Sequence, residues 1–321
     1  MRPTAIVLLA AFACLAAEGR EAAPVSVHEW GVLVYGEDDE SGMVLGQSSP
    51  DPEPAAVRAP VVYFHGPAFS GTFTVALPGG DFTTTYPTPD TTECNFAQWR
   101  VEGSWSRERE AARDDALRNH PDFGADWSAV ESMMLSTGTG GSSRYLFYEC
   151  TLSPDMLEPS NWLAPVQYDG EEILLPPLLS IPEAPDPELL VLTLGGDGPL
   201  MWRGDGSQLA EAGLTGLDWQ AYSRTGVVRT LMDWDNGSLA PDEIDVMWDT
   251  WEPWTLRRED PEGYVIFTEL WPQKVAGISR ISLQTDGGQP VEYSRFFLGA
   301  LVVSGHVPVR HVSPDEGEDL R

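Results

Sequence analysis

The sequence predicts a mainly β fold, built as antiparallel, sandwich-like sheets with a few peripheral helices. Runs rich in Val, Ile, Phe, Tyr, Trp and Thr recur along the chain. Clusters of Gly, Pro, Asp and Ser separate them, and this is turn chemistry. Helical signals are confined to two segments, one by composition and one by apolar spacing. A hydrophobic share of 42% with 12 Trp is ample for a core.

The first element is a leader. Arg2 precedes AIVLLAAFACLAA (5–17), an apolar run too short for a bilayer, which takes ~20 residues. Small residues then lead into the polar EGREAAP, so 1–17 reads as a signal peptide. Cleavage is expected after Ala17, with Ala13 and Ala23 as alternatives. The expected address is secreted or periplasmic. A lipid anchor on Cys14 is the rival, although Ala11 stands where the lipoprotein signal wants Leu. No later segment approaches a membrane span.

An N-terminal β domain is expected over 24–153. VSVHEWGVLVYG (25–36) is a strand ending at Gly36, followed by an EDDESG turn and the Pro-rich connector SSPDPEPAAVRAP (48–60). VVYFHG (61–66), GTFTVAL (71–77) and DFTTTY (81–86) follow as strands, the last two joined through Pro78-Gly79-Gly80 as a hairpin. AQWRVEG (97–103) and RYLFYECTL (144–152) are strands, SREREAARDDALRN (106–119) a solvated helix, and STGTGGSS (136–143) a loop. The Pro-rich stretch 154–187 is read as a linker and domain boundary.

A C-terminal, β-rich domain with one helix is expected over 188–312. LLVLTLGG (189–196) pairs with PLMWRG across a Gly-rich turn. PDEIDVMWDTW (241–251) is a helix: Pro241 suits its first position, and Asp242 and Glu243 suit the positive end of its dipole. Ile244, Met247, Trp248 and Trp251 form its apolar face, and Pro253 is expected to stop it. YVIFTELW (264–271), ISRISLQT (278–285) and VEYSRFFLGALVV (291–303) are strands, and 313–321 is an acidic tail.

Charge narrows the partners. Fifty Asp+Glu against 19 Lys+Arg give a formal charge of −31, which repels nucleic-acid phosphate and anionic headgroups. A cell-envelope or neutral glycan ligand remains compatible; the sequence does not set the oligomeric state. After the leader two cysteines remain, Cys94 and Cys150. In an oxidising compartment they are expected to pair. The bridge would close about 57 residues, worth roughly 4 kcal/mol in the chain-entropy treatment.

The candidate functional residues are few. On a strand His28 and Glu29 point to opposite faces, so the pair alone cannot chelate one ion. His28, Glu29 and His65 gathered across neighbouring strands would form a two-His, one-carboxylate site with an open water position. His306 and His311 are five apart with Pro308 between them, which disfavours a site. Asp233-Trp234-Asp235-Asn236-Gly237 resembles the opening of a calcium loop, but Ile244 stands at the twelfth position and Glu243 is one residue early. Trp248 and Trp251 read as core, whereas Trp254 is a candidate sugar-stacking residue. HExxH, paired CxxC, GxSxG, P-loop and GxGxxG motifs are absent from the chain.

Several segments in order resemble a group of bacterial secreted proteins of unassigned function that open on a His-Glu-Trp-Gly box. Here the pieces are VHEWGVL, APVVYFHG, YLFYEC, VMWDTW, VIFTELWPQ and SRFFLGALVV, over about 25–303. The chain departs from that pattern at Glu149 and Ala300, where arginines are expected, and at Trp254-Thr255, where Trp-Phe is expected. The resemblance implies an envelope or extracellular setting and no particular reaction.

From sequence alone, the leading expectation is a non-catalytic binding or envelope-associated protein with no cofactor. The alternative is a metal-assisted hydrolase using zinc or another divalent ion at His28, Glu29 and His65. A calcium-stabilised adhesin using Asp233 and Asp235 is the third.

Overall fold

The computed structural model describes residues 22–36, 56–106, 126–139, 141–153, 164–168, 170–175, 186–194, 198–256, 263–305 and 307–312. The predicted leader with Cys14, the predicted EDDESG turn, almost all of the predicted 106–119 helix, His306 and the acidic tail lie outside these residues.

The strands of the first half are β1 (Val25–Gly36), β2 (Ala56–His65), β3 (Phe69–Ala76), β4 (Gly80–Tyr86), β5 (Thr91–Glu93), β6 (Phe96–Ser104), β7 (Met134–Thr137), β8 (Ser142–Ser143) and β9 (Tyr145–Leu152). The second half contributes β10 (Gln167–Tyr168), β11 (Ile173–Leu175), β12 (Glu188–Leu194), β13 (Leu200–Asp205), β14 (Gln220–Ala221), β15 (Gly263–Glu269), β16 (Arg280–Thr285), β17 (Val291–Ser304) and β18 (Val309–His311). Four α-helices are described: α1 (Gly206–Ala212), α2 (Arg224–Asp235), α3 (Pro241–Leu256) and α4 (Pro272–Ile278).

The protein is mainly β, as its alternating apolar runs dictate. A nine-stranded sheet in the order β14-β13-β12-β15-β17-β1-β2-β9-β4 forms the centre. Its strands come from both 24–153 and 188–312, so these two ranges do not close as separate sheets. The junction is the parallel pair β1–β17, flanked by the antiparallel pairs β1–β2 and β15–β17. A six-stranded sheet contains β3, β5, β6, β7, β8 and β16, and a small three-stranded sheet joins β10, β11 and β18. The stretch 154–187 therefore carries two short strands as well as its prolines.

β1 shows why the centre is deep. Its odd residues Val25, Val27, Leu33 and Tyr35 face one way, into a core shared with Phe73 and Trp99 of the six-stranded sheet. Its even residues Trp30, Val32 and Val34 face the other way, against Val227 and Leu231 of α2 and Ile244, Met247, Trp248 and Trp251 of α3. The layers are thus sheet, sheet and helices, and both faces of the middle layer are buried.

Several local expectations change, and first among them 188–312 carries four described α-helices where one is expected, the other three lacking a long apolar stripe in the sequence. Pro78-Gly79-Gly80 does not close a hairpin, because β3 and β4 belong to different sheets. Pro253 does not stop α3, which continues to Leu256. The proline forfeits one helical hydrogen bond, and burial of Trp251 and Thr255 holds the last turn in place.

Candidate metal centre

β2 runs antiparallel to β1, with His28 opposite Tyr63 and His65 opposite Ser26. The two histidines are therefore diagonal neighbours on the helix-covered face, within reach of ring contact. Their ring centroids lie 4.5 Å apart with a 41° tilt. β2 ends at His65, where Gly66 turns the chain at φ +101°. A Cβ at Gly66 would lie 2.6 Å from the Pro24 carbonyl oxygen.

The third member is Glu243, from the first turn of α3. His28 Nδ1 lies 2.8 Å from Glu243 Oε2, and His65 Nε2 lies 2.9 Å from Oε1. The Ala240 N–H also donates to Oε2, at 2.7 Å. This reach back to the residue before the helix is half of a capping box, and it fixes the carboxylate at the positive end of the dipole. Asp242 accepts the Glu131 N–H at 2.8 Å, tying the same turn to the 126–133 loop.

Burial alone pushes the Glu243 carboxyl up. Hydrogen bonds from His28 and His65, the electrostatic attraction of His28, and the Ala240 N–H outweigh it and bring the pKa down to about 2. The group is an anion at neutral pH. Glu243 is fully buried, whereas the His28 and His65 side chains keep 14% and 16% of their surface exposed. The cluster thus has a closed anionic floor and two imidazoles that reach solvent.

Among the described residues this is the one group of three or more His, Cys, Asp or Glu placed to share a metal ion, its ligand atoms all within 4.8 Å of one another. Two nitrogens and one oxygen suit zinc and similar first-row ions; calcium prefers oxygen alone. A tetrahedral ion about 2.1 Å from each ligand would separate the ligand atoms by about 3.4 Å. The 2.8 and 2.9 Å contacts would have to open by about half an ångström to admit it.

The structure brings His28 and His65 together and sends Glu29 elsewhere. Glu29 is the odd residue between two even ones, so it faces the sheet-packed side. There it accepts from Tyr148 Oη at 2.6 Å and pairs with Arg295 Nε. It cannot join the histidines, and Glu243 takes the place expected for it.

Asp233 and Asp235, the residues of the calcium reading, have protein partners at the end of α2. Asn236 has φ 53° and Gly237 has φ 80°, so the Asn-Gly pair ends α2 instead of opening a cation loop. Asp233 binds Arg203, while Asp235 accepts from the Ser238 hydroxyl and the Leu239 N–H. Trp254 is half-buried and packs edge-on against Trp251 at 6.1 Å, at the margin of the helix-side core. His311 lies on β18, away from this group. The expected disulfide is absent: Cys94 and Cys150 are both free, the first exposed and the second buried on β9.

Sequence reasoning missed Glu243. It stands 178 residues from His65 and 215 from His28 in the chain. Its local signals were an acidic residue in the first turn of a helix, which suits the dipole, and a near miss to the twelfth position of a calcium loop; neither points to the histidines.

No protein-family model matches the chain, and no curated protein matches it. Among solved structures the chain is similar to the Fcho1 Mu homology domain of Danio rerio with bound Eps15 peptide. That likeness covers 92% of this chain and 99% of the other at 11% identity, with a TM-score of 0.30, too low to bear on fold or function.

Proposed function

We propose that the protein holds one divalent first-row metal ion, zinc by its donor set, between His28, His65 and Glu243, and that it is a metal-assisted hydrolase. The observation that carries this reading is the convergence of two slightly exposed imidazoles on one buried, anionic carboxylate. Three protein ligands leave a coordination position toward solvent, the pattern of catalytic zinc. An ion held there would lower the pKa of a bound water to about 7 and polarise a substrate oxygen. The chain's own residues would bind, orient and shield: Glu243 neutralises charge, Ala240 fixes the carboxylate, and the β1–β2 pairing sets the angle between the rings. The formal net charge of −31 disfavours polyanionic substrates. The leader and the resemblance to secreted proteins support an extracytoplasmic setting.

Metal analysis of protein purified without chelator tests this reading. About one ion per chain is expected, lost in His28→Ala and His65→Ala. Protein that neither carries metal nor takes up added zinc would overturn it.

The hydrogen-bond-length contacts favour a second reading, in which Glu243 orients both imidazoles for metal-free acid–base work. Activity that survives exhaustive chelation, and is lost in Glu243→Gln, would select that reading. The non-catalytic reading, as a binding or envelope protein for a cell-envelope or glycan ligand, predicts binding without turnover on ester, amide, phosphoester and glycoside panels.

A further inference from the structure

We infer that the pair of buried Glu29 and partly buried Arg295 is a register lock that places His28 in the metal centre; this rests on the reading of that centre given above. β1 and β17 run parallel, with Glu29 aligned with Arg295 and His28 with Ser294. Side chains alternate along a strand, so a slip of one residue would carry His28 to the opposite face and Glu29 toward the histidine side.

Apolar patterning resists such a slip poorly. β1 is apolar on both faces, and β17 is buried without interruption from Phe296 to Val303. A shifted register would exchange one Val, Leu or Phe for another at little cost. Buried polar groups discriminate far better, because each needs its own partner.

Glu29 is fully buried, and its described partners flank it on both sides: Arg295, set by the β1–β17 alignment, and Tyr148 of β9, two strands away through β2. One carboxylate oxygen accepts from Tyr148, the other from Arg295 Nε. Arg295 spends its remaining nitrogens on Ser279, Nη1 on the carbonyl at 3.0 Å and Nη2 on the hydroxyl at 2.6 Å. Its guanidinium carbon lies 5.5 Å from the centre of the Phe297 ring. The network thus ties β1 to β9, to β17 and to the residue after α4. Glu29 and Arg295 touch no ligand atom of the centre; they are positioning residues.

The test replaces the pair with apolar residues of similar size, Glu29→Leu/Arg295→Met. Two readouts are taken on the full chain: zinc affinity by competition with a chelating dye, and the nuclear Overhauser contact between the His28 and His65 rings without metal. The expected result is a folded protein whose ring–ring contact is lost or split among several environments, with zinc affinity down at least tenfold. A single retained contact with zinc affinity within twofold of the parent would overturn the lock. If the parent itself does not bind zinc, the metal reading fails, and the ring–ring contact still decides the register question. If the double variant does not fold, Glu29→Gln and Arg295→Lys are read in the same way, since the first removes the anion and the second removes the guanidinium fork that reaches both Glu29 and Ser279.

Discussion

Glu243→Gln is the sharpest single perturbation of the candidate centre. The side chain is fully buried and accepts from His28, from His65 and from the Ala240 N–H. Glutamine keeps the shape, removes the only anion and offers one acceptor oxygen in place of two. His65 can adjust by changing tautomer, so that its Nε2 accepts from the new amide. Three charge-assisted bonds falling to neutral strength lose about 1 kcal/mol each. Relief from burying a charge offsets part of this, leaving a metal-free destabilisation of about 1–3 kcal/mol. The effect on metal is larger. Zinc at a hundred times the parental Kd stabilises the parent by about 2.7 kcal/mol. A variant binding a hundredfold more weakly gains only about 0.4 kcal/mol at the same concentration. Urea unfolding with and without zinc measures both quantities. Equal zinc-linked stabilisation in parent and variant would refute the assignment of Glu243 as a ligand.

Four further outcomes are expected. Peptide mapping after alkylation at pH 8 should label Cys94 rapidly and Cys150 only on unfolding, because burial pushes the Cys150 thiol up to about 12 and keeps it protonated; failure of both to react would restore the disulfide. Gly31→Ala should cost about 1–3 kcal/mol in urea unfolding, because its Cβ would meet the Phe297 ring at 2.8 Å; a neutral result would show that the ring moves aside freely. Trp248→Ala should cost about 3–5 kcal/mol, as a fully buried side chain whose indole N–H also donates to Tyr222 Oη; a loss under 1 kcal/mol would contradict its place in the core. Millimolar calcium should leave the melting temperature unchanged, since Asp233 and Asp235 are engaged by different partners; a rise reversed by chelator would reopen the adhesin reading.

The His-Glu-Trp-Gly box shows how far local reasoning reaches. Alternation placed His28 and Trp30 on one face and Glu29 on the other, and the structure has that arrangement. It also ruled out joint chelation by His28 and Glu29 from a flat strand. What it left open was the use of each face. Trp30 packs edge-on against Trp127, Glu29 finds Arg295, and Gly31 leaves room for Phe297. The DWDNG segment is the opposite case: its oxygens match a cation loop in spacing, yet its Asn-Gly pair supplies a left-handed helix end. A helix terminus and a calcium loop both call for acidic residues followed by a turn, and spacing alone does not separate them.

The sequence by itself determined the β class, most strand positions and the apolar face of α3, because each is written in a period of two or of about 3.6 residues. Only the tertiary structure decided that 24–153 and 188–312 share a sheet, that both cysteines stay free, and that a glutamate from α3 closes on histidines of β1 and β2. Strand order and helix docking set those contacts, and neither leaves a periodic trace. They follow from packing both faces of the central sheet at once, a condition on the whole chain that no local window contains.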